Sequence, residues 1–246
     1  MSSILEILSI KPFAVIGHRG SKEECAENTL PCLEYAIQKG AEIVEVDARQ
    51  TKDGKLIILH DETFERVAGI SKKPSELTLE EIKKNIRVFG EYEVPTLEEV
   101  LNLVGSPVGL FVEIKEPPTV QKIVETVLEK GNPDLTMFIS FYSEALKRVK
   151  EIDQNLFTGL IYSKPSSAIL EAKKIKAEAV LPRWPLATPK AVAFAHRLKL
   201  KVIPWVVNDE KSLQRVLEAK ADAIATDRVS WLVEKRKEIK ENTANL

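Results

Sequence analysis

Eight short runs rich in β-branched and aromatic residues recur along this chain, each followed by a stretch of helical period, and that alternation restricts the fold more than any other feature. The runs are FAVIG (13–17), EIVEVD (42–47), GLFVEI (109–114), TMFISF (136–141), FTGLIY (157–162), EAVLP (178–182), KVIPWVV (201–207) and ADAIAT (221–226). Between them lie TLPCLEYAIQKG, TLEEVLNLV, TVQKIVETVLEKG, SEALKRVKEI, SSAILEAKKIK, PKAVAFAHRLK, EKSLQRVLEAK and finally VSWLVEKRKEIKEN. Several of these open on Ser, Thr or Pro, as helix starts prefer, and Gly40 and Gly131 follow two of their ends. Eight successive βα units predict an α/β protein with a (β/α)8 TIM barrel as one domain over residues 1–246. A doubly wound open sheet is the alternative. At 246 residues and 44% hydrophobic content, the chain has enough apolar surface for one large core.

A ninth run, LIILH (56–60), begins two residues after the turn dipeptide Asp53-Gly54. A parallel crossover needs about a dozen residues, so this run must return antiparallel as a hairpin outside the barrel ring. With Asp53 and Gly54 at the centre of a two-residue turn, Lys52 faces Lys55 and Asp47 faces His60, while Glu45 shares their face. A longer loop would slip the register by one residue and turn His60 away. The gap between the runs at 42 and 109 also holds a polar segment, about 62–95, with SELTLEEIKKNI as a short helix. An insertion after the second barrel strand sits beside the mouth of a barrel, where it can act as a small cap.

Glu45 and Asp47 end the second strand, and Glu113 and Lys115 end the third. In each pair the spacing of two puts both side chains on one face, with Val44, Val46, Val112 and Ile114 facing the helices. Three clustered carboxylates repel one another unless a hard cation relieves them, so one divalent ion, Mg2+ or Ca2+, is the expected occupant. Unrelated surface salt bridges are the plainer reading of any single acid among them. His18 and Arg19 follow the first strand and enter the same mouth, adding a titratable ring and a permanent cation suited to phosphate. The third histidine, His196, lies on a helix away from these motifs. Phe141, Trp184 and Trp205 follow or end strands and could equally wall a pocket or fill core.

The formal net charge of -1 gives no basic footprint for nucleic acid. No apolar stretch approaches a transmembrane span, and SSILEILSI lacks the basic start and long apolar run of a signal peptide, so the expected location is the cytoplasm. Cys25 and Cys32 are too few for a disulfide framework. Cys32 reads as a core residue, and no base stands near Cys25 to make it a nucleophile. The Lys-rich end EKRKEIKEN reads as a solvated helix face.

The motifs HRG, ENT, E-x-D, TKDG, HD and E-x-K, in this order and followed by W-x-V-N, resemble the glycerophosphodiester phosphodiesterase family from His18 to Asp227. Each motif is short; the ordered set is specific. The resemblance implies a TIM barrel that hydrolyses small-molecule glycerophosphodiesters to an alcohol and glycerol 3-phosphate with a bound divalent metal. It implies His18 and His60 as catalytic residues, Glu45, Asp47 and Glu113 as metal ligands, and Arg19, Lys115 and Trp205 as substrate-binding residues. Ala26 stands where the family often has Pro, and Val206 where Thr is frequent. Three carboxylates, a divalent ion, two cations and a singly charged phosphodiester sum to neutrality, which suits Lewis-acid activation of the phosphoryl group. A phospholipase D-type lyase on the same barrel, releasing a cyclic phosphate, and a non-catalytic phosphate-ligand binding protein remain as rivals.

Overall fold

The structure is a computed structural model and describes residues 3–244. Every barrel run forms a strand: β1 (Ala14–Gly17), β2 (Ile43–Gln50), β4 (Gly109–Ile114), β5 (Thr136–Ser140), β6 (Phe157–Tyr162), β7 (Ala179–Pro182), β8 (Lys201–Val202) and β9 (Ala223–Thr226). The run at 56 is β3 (Leu56–Ile58), which pairs with β2 alone and stands off the ring. All ring neighbours pair parallel in the order β8-β7-β6-β5-β4-β2-β1-β9. Pro204 has no amide proton and shortens β8. The seam to β9 is nevertheless bridged by backbone bonds from Asp222 N to Val202 O, Ala225 N to Pro204 O and Val207 N to Ala225 O. The doubly wound alternative is thereby excluded, and the fold is a TIM barrel.

Alternation along each strand builds two layers. Ile16, Ile43, Phe111, Met137, Ile161 and Leu181 fill the barrel interior. Val44, Val46, Val112 and Ile114 point outward into the larger core beneath the helices. The helices lie where the apolar spacing places them: α2 (Leu30–Gln38), α5 (Leu97–Leu103), α6 (Val120–Lys130), α7 (Ser143–Ile152), α8 (Ala168–Lys174), α9 (Pro189–Arg197), α10 (Glu210–Glu218) and α11 (Val229–Ala244). Thr29, Thr96, Thr188 and Asp209 each accept a backbone N–H in the first turn of the helix they precede, satisfying donors that have no helical partner.

A short helix not expected from the sequence, α1 (Ile4–Ile7), plugs the lower end of the barrel. Ile4, Ile7 and Leu8 join the interior cluster there, and full burial of each is worth about 1.5–3 kcal/mol. Gly109 makes room for that plug, because a Cβ at this position would lie 2.5 Å from Ile4 Cδ1.

The hairpin is present, but its register differs from the expected one. Ala48 pairs with Ile58, Arg49 with Ile57 and Gln50 with Leu56, so Leu59, not His60, stands across from Asp47. The turn has three residues, Lys52, Asp53 and Gly54, closed by Thr51 N to Lys55 O at 2.8 Å. Thr51 Oγ1 accepts from Lys55 N and donates to Asp53, and Gly54 takes φ +75, the left-handed residue that a three-residue hairpin loop requires. Beyond it, residues 62–95 carry α3 (Glu65–Ala68) and α4 (Leu79–Asn85), packed around a separate cluster that includes Ile57, Leu59, Phe64, Val67 and Ile82.

Cys25 and Cys32 are joined as a disulfide with Cα atoms 5.3 Å apart, a pairing the sequence did not suggest. Disulfides belong to oxidising compartments, with hyperthermophile cytoplasm the exception. The cysteines therefore lend no support to a cytoplasmic location. No helix among the described residues is long and apolar enough to cross a membrane.

Candidate active site

Glu45 and Asp47 lie at the upper end of β2, and Glu113 lies beside Asp47 on β4, where the two are direct Cα partners. Each offers an oxygen, and the three atoms lie within 4.8 Å of one another. All three residues are buried, Asp47 completely. The loop after β1 wraps this triad. Arg19 N donates to Glu45 Oε2 at 2.8 Å and Asn28 Nδ2 donates to Asp47 Oδ2 at 2.8 Å. Arg19 and Asn28 both take positive φ, which turns the loop tightly enough to aim both donors at the acids. Gly20, at φ +90, has no space for a side chain either, since a Cβ would meet Cys32 Sγ at 2.7 Å.

Two cations complete the cluster. Lys115 Nζ lies 2.7 Å from Glu113 Oε1 and 3.3 Å from Asp47 Oδ1, and Arg19 Nε lies 3.4 Å from Asp47 Oδ2. The Asp47 Oδ1 contact lacks hydrogen-bond geometry, and that oxygen and Glu45 Oε1 are buried without a hydrogen-bond partner. Burial, then repulsion from Asp47 and Glu113, drives the Glu45 carboxyl well above its ordinary range. Burial and Asp47 push Glu113 up to about 7. Asp47 is the acid that stays charged: burial opposes this, yet Lys115 and Arg19 hold it below the usual carboxylate range. Two buried oxygens without donors, in a trio that strains to ionise, fit a hard cation better than they fit the ion pairs alone.

His18 and His60 both line the small cavity above the triad, about 100 Å3 in volume, with Arg19, Glu45 and Glu113. His18 Nδ1 lies 2.6 Å from Asp227 Oδ1. Asn208 Nδ2 donates to the other Asp227 oxygen at 2.8 Å, and Asn208 Oδ1 accepts from Asp227 N at 2.9 Å. His60 Nδ1 lies 2.7 Å from Asp61 Oδ1. Asp61 is held in turn by Arg66 Nε at 2.6 Å, and Arg66 also reaches Glu27, which pairs with Arg19. With both Nδ1 atoms engaged by carboxylates, each ring has Nε2 free to exchange a proton. Burial, with Lys115 and Arg19 nearby, depresses the His60 pKa.

The cavity is otherwise apolar. Phe141 and Trp205 meet edge to face at its wall, centroids 5.8 Å apart, and the Trp205 indole N–H is already given to Leu181 O at 2.9 Å. Trp184 does not reach this wall; it packs against the outer core with Arg215 over its ring. Lys115 opens instead onto an adjoining groove that shares Glu113 and Phe141 with the cavity. His196 pairs with Asp222 at 2.7 Å, outside the cavity lining.

Residues 18–230 match the model of the glycerophosphoryl diester phosphodiesterase family. The chain belongs to this family. It is 31% identical over 236 residues to a glycerophosphodiester phosphodiesterase of Caldanaerobacter subterraneus subsp. tengcongensis, an alignment covering 89% of this chain and 96% of that protein. Among solved structures, an Oleispira antarctica phosphodiesterase in complex with sn-glycerol-3-phosphate superposes with a TM-score of 0.84 at 24% identity, covering 92% of this chain and 96% of the other. A glycerophosphodiester phosphodiesterase from Thermotoga maritima gives 0.79 at 24% identity, covering 89% and 96%.

Of the residues singled out in the sequence, His18, Arg19, Glu45, Asp47, His60, Glu113, Lys115 and Trp205 lie in the cavity, the triad beneath it or the adjoining groove. Glu27, Asn28, Arg49, Asp61, Asn208 and Asp227 were missed as individuals, although most lie inside the motifs ENT, HD and W-x-V-N. Their signal was available: a polar residue beside each expected proton-transfer or metal residue is a candidate to orient it.

Proposed function

We propose that this chain hydrolyses glycerophosphodiesters to an alcohol and glycerol 3-phosphate, with His18 and His60 as the proton-transfer pair. Glu45, Asp47 and Glu113 would hold one divalent cation, Mg2+ or Ca2+. The observation that carries this reading is the convergence on one cavity of three buried acids, two of whose oxygens lack donors, and two imidazoles anchored through Nδ1. Family membership and the product-bound Oleispira relative support the substrate class.

A bound cation would polarise the phosphoryl oxygen and neutralise the acids, so that all three remain ionised. One imidazole takes the proton of the nucleophile, water or the substrate's own glycerol hydroxyl, and the other gives a proton to the departing alkoxide, each contributing about 100- to 10,000-fold. Where the glycerol hydroxyl attacks, water then opens the cyclic phosphate to glycerol 3-phosphate. Arg19 and Lys115 balance the acids and turn toward the non-bridging phosphate oxygens when the diester enters. Phe141 and Trp205 present ring surface to the carbon skeleton, and the segment at 62–95 caps the mouth as part of a single catalytic domain.

Phosphorus NMR of glycerophosphocholine incubated with the protein tests this directly. Glycerol 3-phosphate is the expected final product, lost on chelation and restored by Mg2+ or Ca2+. Accumulation of a cyclic phosphate as the end product, or full activity in chelator, would overturn it.

A further inference from the structure

The register of the hairpin raises a question that strand alternation cannot answer. Ala48 and Ile58 face the helices together, so a regular continuation would aim His60 the same way, into the outer core. His60 nevertheless lines the cavity. The ladder ends to allow this: β3 stops at Ile58, Leu59 N makes the last bond, to Asp47 O at 2.9 Å, and the chain then turns.

We propose that Arg49 is the positioning residue that holds this turn and thereby delivers His60 to the catalytic cavity. Its guanidinium donates to the His60 carbonyl twice, from Nη2 at 2.9 Å and from Nε at 3.3 Å. Its remaining arm, Nη1, lies 2.7 Å from Glu116 Oε1, in the loop after β4. Arg49 is buried, with 5% exposure, and shares the strand face of Glu45 and Asp47 one step further along β2. A planar fork gripping one carbonyl at two points fixes both the location and the tilt of that peptide. The clamp thus ties His60 to the two strands that carry the acids. Asp61 orients the ring, whereas Arg49 sets the backbone from which the ring projects.

The catalytic part of this inference rests on the proposed role of His60, so its test includes a readout independent of turnover. Arg49→Lys keeps the charge and loses the fork. It is expected to lower kcat about tenfold or more, with KM and cation affinity by calorimetry within about twofold of wild type. In a His60→Ala background the same substitution is expected to cost less than about twofold, because the two residues act as one unit. With three histidines in the chain, carbon–proton spectra of the imidazoles should show the His60 resonances displaced and those of His18 and His196 unmoved. Glu116→Gln, at a half-exposed site that leaves the fork intact, should displace the same resonances by less; it decides the matter if Arg49→Lys fails to fold. Equal losses in both backgrounds, a parallel fall in cation affinity, or an undisturbed His60 resonance would overturn the proposal. If no glycerophosphodiester is hydrolysed by the wild type, the functional reading fails, and the spectra alone judge the clamp.

Discussion

His18 stands one residue beyond β1 and its partner Asp227 one residue beyond β9, so two hydrogen-bonded ring strands, paired at Gly17 and Thr226, fix both halves of that pair. His60 stands beyond a three-residue strand outside the ring, and its partner Asp61 is simply the next residue in the chain. The Asp227 side chain is 2% exposed, whereas that of Asp61 is 28% exposed. One imidazole is therefore placed by closure of the barrel, and the other by side-chain bonds from Arg49 and Arg66. The contrast implies that the His18 arm depends chiefly on one deeply buried carboxylate, while the His60 arm spreads its support over the buried Arg49 and the partly solvated Asp61 and Arg66.

The largest effects should come from the rings themselves. His18→Ala and His60→Ala are each expected to reduce turnover by about 100- to 10,000-fold, with circular dichroism unchanged. Near wild-type turnover in either would remove that histidine from the proton-transfer pair. The comparison sharpens one step out. Asp227→Asn should cost about 100-fold in kcat, because the buried amide can no longer fix the His18 tautomer, whereas Asp61→Asn should cost about tenfold, since water and Arg66 remain to adjust. Equal losses would show that burial does not distinguish the two arms.

The barrel itself could be read from the sequence because ring strands are local objects: each apolar run declares its faces through alternation, and Val44 and Val112 point where the period places them. The triad could be read for the same reason, since Glu45, Asp47 and Glu113 inherit their direction from regular strands. The hairpin register could not, because Thr51 extends the Asp53-Gly54 turn by one residue through a side-chain bond that propensity does not encode. Nor could the His18–Asp227 pair, whose members are 209 residues apart and meet only when the ring closes. The disulfide was hidden likewise, because the left-handed turns at Arg19 and Asn28 lie in the loop that brings Cys25 back to Cys32.

A smaller effect follows from pH. Without a cation, burial and mutual repulsion raise Glu113 from an ordinary value of 4.5 to about 7, and Glu45 is raised as well. Groups raised in the fold favour their protonated form, so the cation-free protein should lose stability as pH rises from about 4.5 through about 7. A cation must displace that proton, so its affinity should increase over the same interval. Thermal melts with and without Ca2+ should therefore show a larger stabilisation at about pH 8 than at about pH 5.5. A pH-independent increment would mean that the acids titrate outside this window. Arg66→Ala should be milder still, about two- to fivefold in kcat, because Arg66 acts on His60 only through Asp61.

The most direct test of the site as a whole is a crystal structure with Mn2+, a hard cation that reports its place by anomalous scattering, and glycerol 3-phosphate. One anomalous peak is expected among Glu45, Asp47 and Glu113, at about 2.0–2.6 Å from their oxygens, with the phosphate lying between the Nε2 atoms of His18 and His60. A peak elsewhere, or a phosphate bound out of reach of either imidazole, would contradict the placement of both arms around a single cation.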